Sequence, residues 1–273
     1  MHRRFGVTTL YSTFLCAVAG CSQLADDPDE LVGESTNQET IDRRADSATG
    51  DAYTYYEVTA DLRRCASPLC GGWFLRRLNR PTTRCHDGRE AEACYTPVLD
   101  WSEANVPDVQ QTKLLDASHR DAVSEGVYAI ARGQFAPTNT TPRPELGRFV
   151  VSEAWVAEGD SVSQGEFVRV RDNGRRCPAA PCPHLTETTL NTPRSANIAQ
   201  IDWTPSGLSD RQIEAFRQAM FTPDGVLIAG YRYLVHDNGR TAKGRTATAA
   251  YHRLSDAAPG GPTLRLMAGL VRQ

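Results

Sequence analysis

Six cysteines stand in three close pairs: Cys65 with Cys70, Cys85 with Cys94, and Cys177 with Cys182. Thiols this close in sequence suit one of two kinds of chemistry. They close small disulfide rings in an oxidising compartment, or they supply thiolates to zinc. The stretches "RRCASPLC" (63–70) and "RRCPAAPC" (175–182) repeat one frame 112 residues apart. Cys65, Cys70, Cys177 and Cys182 therefore offer either two bridges or one four-thiolate zinc site. A bridge needs Cα atoms about 4.4–6.8 Å apart, whereas five extended steps span about 17 Å. The chain must turn back between the sulfurs, and Pro68, Pro178 and Pro181 supply turn chemistry there.

Two further constellations are candidates for binding. Asp100-Trp101 and Asp202-Trp203 repeat a dipeptide in which the indole would stack on a sugar ring while the carboxylate accepts its hydroxyl hydrogens. The alternative makes each Trp a core anchor and each Asp the cap of the next turn. Arg76, Arg77 and Arg80, with Arg63, Arg64, Arg84 and Arg89, form a basic cluster opposed in sequence by Asp61 and Asp87. Such a cluster would meet anionic lipid, surface polysaccharide or an envelope protein, or else lie on solvated strand faces. HExxH, GxSxG, GxxxxGK[ST] and GxGxxG do not occur. We assign no catalytic residue, no metal and no cofactor. A hydrolase without a recognisable motif stays as the alternative to a non-catalytic binding or structural module, beside the zinc module.

Compartment is written at the start of the chain. "MHRRFG" is a short basic lead, and the apolar "VTTLYSTFLCAVAG" after it is a secretory signal, too short to count as a spanning helix. It ends in "VAGC" (18–21), which resembles the bacterial lipobox. That resemblance implies cleavage before Cys21, a diacylglycerol on its sulfur, and a membrane anchor through an N-terminal lipid. Ser22 at the next position favours the outer membrane. Residues 22–50 carry eight acids against Arg43 and Arg44 and lack periodicity, so 21–50 reads as an acidic disordered tether. Its flexible-chain reach is about 30 Å. With a formal charge of −3 overall, residues 51–273 are left near +1, which argues against nucleic acid as a partner.

The elements that would position these residues come in two sets. Aligning the cysteine frames at an offset of 112 also superposes "LNRP" (78–81) on "LNTP" (190–193). Asp100-Trp101 then meets Asp202-Trp203 at an offset of 102, and Gly126 meets Gly225. Matches in one order over this length imply a duplication, with repeat one at 51–160 and repeat two at 161–273, after a signal peptide at 1–20. The ten residues gained by the first repeat contain Cys85 and Cys94, which have no counterparts and so close their own loop. The duplication thus selects Cys65–Cys70, Cys85–Cys94 and Cys177–Cys182 as bridges.

Alternating or β-branched runs at 53–60, 73–78, 95–101, 127–135 and 148–156 predict five strands in the first repeat. Runs at 166–171, 184–190, 198–203, 226–235 and 246–254 predict five in the second. A helix falls between the third and fourth strand of each. In the second repeat Ser209 and Gln212 form a capping box and Ile213, Phe216 and Met220 share one face. The fold class is α+β and β-rich, as two tandem β-β-β-α-β-β units. Each is an OB-like small barrel or a sheet covered by one helix.

Lipobox, acidic tether, "RRCxxxxC", "LNxP", "DW" and "GV" together resemble a family of uncharacterised predicted lipoproteins of myxobacterial-type bacteria, over residues 53–254. The resemblance implies a lipid-anchored envelope protein and carries no activity with it.

Overall fold

Strand by strand, burial explains the composition. The computed structural model describes residues 54–137, 143–237 and 239–255. The signal peptide, Cys21 and the acidic tether lie outside the described residues. In the first half β1 (Thr54–Ala60), β2 (Trp73–Arg77), a hairpin of β3 (Thr83–Arg84) and β4 (Glu90–Ala91), β5 (Cys94–Thr96) and β6 (Leu99–Asp100) precede α1 (Asp108–Asp121). β7 (Ala129–Ala136) and β8 (Arg148–Glu158) follow. The second half runs β9 (Glu166–Asp172), β10 (Leu185–Thr189), β11 (Ser195–Ile198), β12 (Gln200–Asp202), α2 (Asp210–Ala219) and β13 (Val226–Gly230). It ends with β14 (Arg232–Asp237), β15 (Arg240–Thr246) and β16 (Ala249–Leu254). The protein is β-rich α+β, with two helices among the described residues and large antiparallel sheets.

Four expected strands are interrupted or shortened, the 198–203 run at Ala199, between β11 and β12. Pro97, with no N–H to donate, separates β5 from β6. At Gly230 the expected 226–235 strand breaks into β13 and β14, because the Thr246 carbonyl approaches so closely that a Cβ would sit 1.7 Å from it. The expected 246–254 strand starts only at Ala249, and residues 240–246 form β15, a strand that periodicity did not predict.

The main sheet runs β11-β10-β9-β13-β16-β8-β7-β1-β2-β5. Its middle is the antiparallel pair β16 with β8. Two pairings are parallel: β6 with β8, and β12 with β15. Residues 94–100 therefore leave β2 at one end and reach β8 at the other, so the pairing β2-β1-β7-β8 returns on itself. In the second half β11 pairs β10, and β12 pairs β15, which leads into β16.

Three apolar clusters result. One, with Val58, Leu75, Leu114 and Phe149, lies under α1. Another, with Val168, Ile198, Trp203 and Phe216, lies under α2. The third draws Tyr55, Leu78, Ile130 and Trp155 from the first half and Phe167, Leu190, Leu227 and Tyr251 from the second. Each aliphatic side chain buried there contributes about 1.5–3 kcal/mol. β1 serves two of these clusters, since Tyr56 and Val58 face the first and Tyr55 faces the third. That is why its sequence is apolar nearly throughout.

A bulge aims β8 at both. Arg132 pairs with Glu153 but Gly133 pairs with Val151, leaving Ser152 as the extra residue. Phe149 and Val151 on one side of it, and Ala154 and Val156 on the other, all face the first cluster. Trp155 is thereby turned into the third. Its indole N–H donates to Glu153 at 3.1 Å, beside Arg132 at 3.0 Å and Arg169 at 2.6 Å.

The "LNxP" stretches hold the halves together. Asn79 and Asn191 adopt left-handed backbone, φ 56° and 59°, a region Asn tolerates better than most side chains. The Asn79 amide accepts from Phe167 N at 2.9 Å and donates to Phe167 O at 2.7 Å and Leu190 O at 3.1 Å. Asn191 returns the exchange: it accepts from Tyr55 N at 2.8 Å and donates to Tyr55 O at 2.8 Å and Leu78 O at 2.9 Å. Each half thus satisfies the backbone of the other.

Candidate functional site

A groove of about 370 Å³ opens between α2 and the strands below it. α2 forms because Gln212 reaches back to accept the Ser209 N–H at 2.9 Å, and because Phe216 and Met220 bury one side of the helix. Leu185, Ile201, Trp203 and Met220 make an apolar floor, and Phe221, two-thirds exposed, stands at the edge. Trp203 is fixed by stacking on Phe216 with ring centroids 5.8 Å apart. Asp202 supports it from behind: its carboxylate accepts Thr204 N at 3.0 Å and its carbonyl accepts Ala247 N at 2.8 Å.

Polar groups close the sides of the groove. Asp172 ends β9, where its N–H donates to Met220 O at 2.9 Å. Burial disfavours its charge, but the Gly174 N–H and the Arg176 guanidinium outweigh that and hold its pKa below the ordinary carboxylate range. One oxygen, Oδ2, is buried without a hydrogen bond, although Arg176 Nη1 stands 3.2 Å away. His184 is oriented by the neighbouring ring of the second half. Its backbone N and its Nδ1 lie 2.8 and 3.0 Å from the Cys182 carbonyl oxygen. A carbonyl only accepts, so Nδ1 carries a proton and donates it there. Glu214, Arg217 and Gln218 line the helix side.

The sequence candidates fall elsewhere, with one exception. Cys65–Cys70, Cys85–Cys94 and Cys177–Cys182 stand as bridges, with Cα atoms 5.7, 5.3 and 5.5 Å apart. The cysteines of the four-thiolate zinc alternative are thus taken up as two separate pairs. Among the described residues no cluster of three or more His, Cys, Asp or Glu is arranged to hold a metal ion. Asp100 accepts Ser102 N at 2.9 Å and pairs with Arg148 at 3.1 Å, while Trp101 packs against the cluster under α1. Both Asp-Trp pairs therefore anchor turns and cores, and Trp203 also lines the groove.

The arginine cluster is dispersed among partners. Arg76 pairs with Glu57, and Arg63 with Asp61 at 2.8 Å while lying over the Phe74 and Tyr95 rings. Arg89 pairs with Asp87 at 2.5 Å. Arg80 Nε donates to Asn191 O at 3.0 Å, joining the halves, and the backbone N–H of Arg77 donates to the Thr83 hydroxyl at 2.8 Å. Sequence reasoning missed Asp172, His184 and Phe221. Only the Cys182–His184 spacing hinted that a ring would hold an imidazole in place.

Fold and site together define a β-rich α+β protein with a groove under its second helix. The chain belongs to the family described as Domain of unknown function (DUF6748), which matches residues 54–257. No curated protein and no solved structure matches it. Among the described residues, no helix is long and apolar enough to cross a membrane.

Proposed function

We propose that the mature chain is a lipid-anchored protein of the bacterial envelope whose body is a non-catalytic binding module built of two tandem OB-like units. "VAGC" behind an apolar stretch supports the anchor at Cys21, and the acidic 22–50 segment supports a body held off the membrane surface. The tandem reading is supported by the strand order, in which β5, β2, β1, β7 and β8 mirror β11, β10, β9, β13 and β16 about the β8/β16 pair. Strand pairings 1-2-3-5-4-1, with strands three and five parallel and the helix after strand three, are the OB order. The exchanged Asn79 and Asn191 contacts have the form expected of duplicated units related by a pseudo-two-fold axis.

The binding role rests on one observation, the groove under α2. An apolar floor with a few converging polar groups is the usual form of a small-ligand site. Membrane attachment is tested by growth with an alkyne fatty acid. Wild-type chain should take up the label and fractionate with membranes, and Cys21→Ala should do neither. Unlabelled wild-type chain free in the periplasm would end the lipoprotein reading.

A further inference from the structure

We infer that β14 is a pairing edge, and that a second copy of this chain adds to it as an antiparallel strand. In the three-stranded sheet β12-β15-β14, β14 pairs with β15 alone among the described residues. The other strands at sheet ends are shorter: β11 and β5, which end the main sheet, have four and three residues, and β12 has three. Shortness is itself a protection against unwanted pairing. β14 has six residues, Arg232–Asp237, in unbroken register with β15 and with no Lys or Pro to block the edge. Two exposed apolar side chains stand along it, Leu234 at 60% and Tyr231, just before it, at 54%. Among the described residues the first half has no strand between β7 and β8, so this hairpin is an addition to the second half.

Backbone direction selects the partner. The Thr246 N–H donates to Tyr231 O at 2.9 Å. Alternation along an antiparallel strand then turns Tyr233, Val235 and Asp237 to β15, and Arg232, Leu234 and His236 outward. Rotating a second chain about an axis beside Leu234, normal to the sheet, sets those same three residues against each other. Leu234 meets Leu234 of the partner subunit, and Arg232 meets His236 of the partner subunit on either side, which makes about six backbone hydrogen bonds. A shift of two residues leaves one outward residue of each chain without its pair. On the other face Tyr233 meets the partner subunit's Val235, an aromatic and β-branched pair of the kind that stabilises sheets. Tyr231 meets the partner subunit's Asp237, so no arginine falls opposite an arginine and no acid opposite an acid. A foreign strand would have to match this row by its own sequence, whereas a copy matches it by symmetry. An edge of this length makes a small interface, and two copies anchored in one membrane meet at raised effective concentration. That last step alone rests on the proposed lipid anchor, which fatty-acid labelling tests separately.

Disulfide trapping in cells that make the full chain tests this. Leu234→Cys should link two chains, because facing Cα atoms in a hydrogen-bonded pair lie about 5.5 Å apart. Lys243→Cys, opposite Leu234 on β15, should not, because three strand spacings set the two Cα atoms about 14 Å apart. Purified wild-type chain, concentrated in detergent, should show a two-chain mass by native mass spectrometry and slow exchange at the amides of Arg232, Leu234 and His236. Leu234→Pro removes an outward N–H and keeps the bonds to β15, so it should weaken dimerisation about tenfold or more with the fold retained. Leu234→Lys serves the same end if the proline variant does not fold. Single chains alone in the wild type, equal linking by Lys243→Cys, or a dimer indifferent to both substitutions overturns the inference. So does slow exchange of the three amides in a single chain, or a different protein trapped by Leu234→Cys.

Discussion

Replacing Asn79 by Ala removes three hydrogen bonds that cross between the halves, to Phe167 N, Phe167 O and Leu190 O. Each is partly buried, and each loss is worth about 1 kcal/mol net. Alanine at a left-handed φ of 56° adds about 1 kcal/mol of backbone strain. The expected cost is about 4 kcal/mol, whereas Asn79→Gly, which relieves the strain but loses the bonds, should cost about 3 kcal/mol. Asn191→Ala should match Asn79→Ala, because its three bonds and its φ of 59° are equivalent. Urea denaturation gives the energies, provided the slope stays constant among variants. Hydrogen exchange gives the location: Asn79→Ala should expose the Phe167 amide and Asn191→Ala the Tyr55 amide. A cost below about 1 kcal/mol for either variant, or exchange unchanged at the named amides, would refute the reciprocal lock and weaken the tandem reading with it.

Non-reducing peptide mapping should recover Cys65–Cys70, Cys85–Cys94 and Cys177–Cys182, and reduction of any one should cost about 2–3 kcal/mol by loop entropy; a cross-pair such as Cys65–Cys182 would contradict this. Glu187 is fully buried with the fully buried Arg245 and with Arg232, so Glu187→Gln should lose about 3 kcal/mol in chemical denaturation by leaving Arg245 with Glu166, 3.5 Å away, as its remaining carboxylate. Burial pushes the Asp121 carboxyl up to about 8, against hydrogen bonds from Ala129 and Tyr128 N–H groups that favour its charge. Its folded pKa lies above its unfolded one, so its contribution is full below about 4 and is lost as pH rises through about 8; carbon-detected NMR should find its midpoint in that upper range, and a midpoint near 4 would contradict the reading. A Cβ at Gly133 would lie 2.1 Å from Val150 O, so Gly133→Ala should destabilise the bulged pair of β7 and β8 by about 1–3 kcal/mol, read from the shift in melting temperature.

Much of the fold was legible in residue order because it is locally encoded. Apolar alternation located the strands, Ser209 and Gln212 marked the start of α2, and confinement of Cys85 and Cys94 to one insertion chose their pairing. The breaks at Pro97 and Gly230 were less visible. Pro97 was in plain sight within an expected strand, but the limit at Gly230 is set by a carbonyl sixteen residues away. The asparagines show the same division. Sequence alone established that "LNxP" is repeated, and only tertiary structure gave the repeat a purpose, through contacts 88 to 136 residues apart.

The bulge at Ser152 was not legible, since an added residue alters which face a side chain takes without altering the composition of β8. Nor was the groove, whose lining is drawn from β9, β10, β12 and α2. The repeated frame and the single insertion told which cysteines would meet, because a pair gained or copied as a unit closes its own local ring. Which charges are buried and that Trp203 faces a groove depended on register and on side chains brought together from distant parts of the chain.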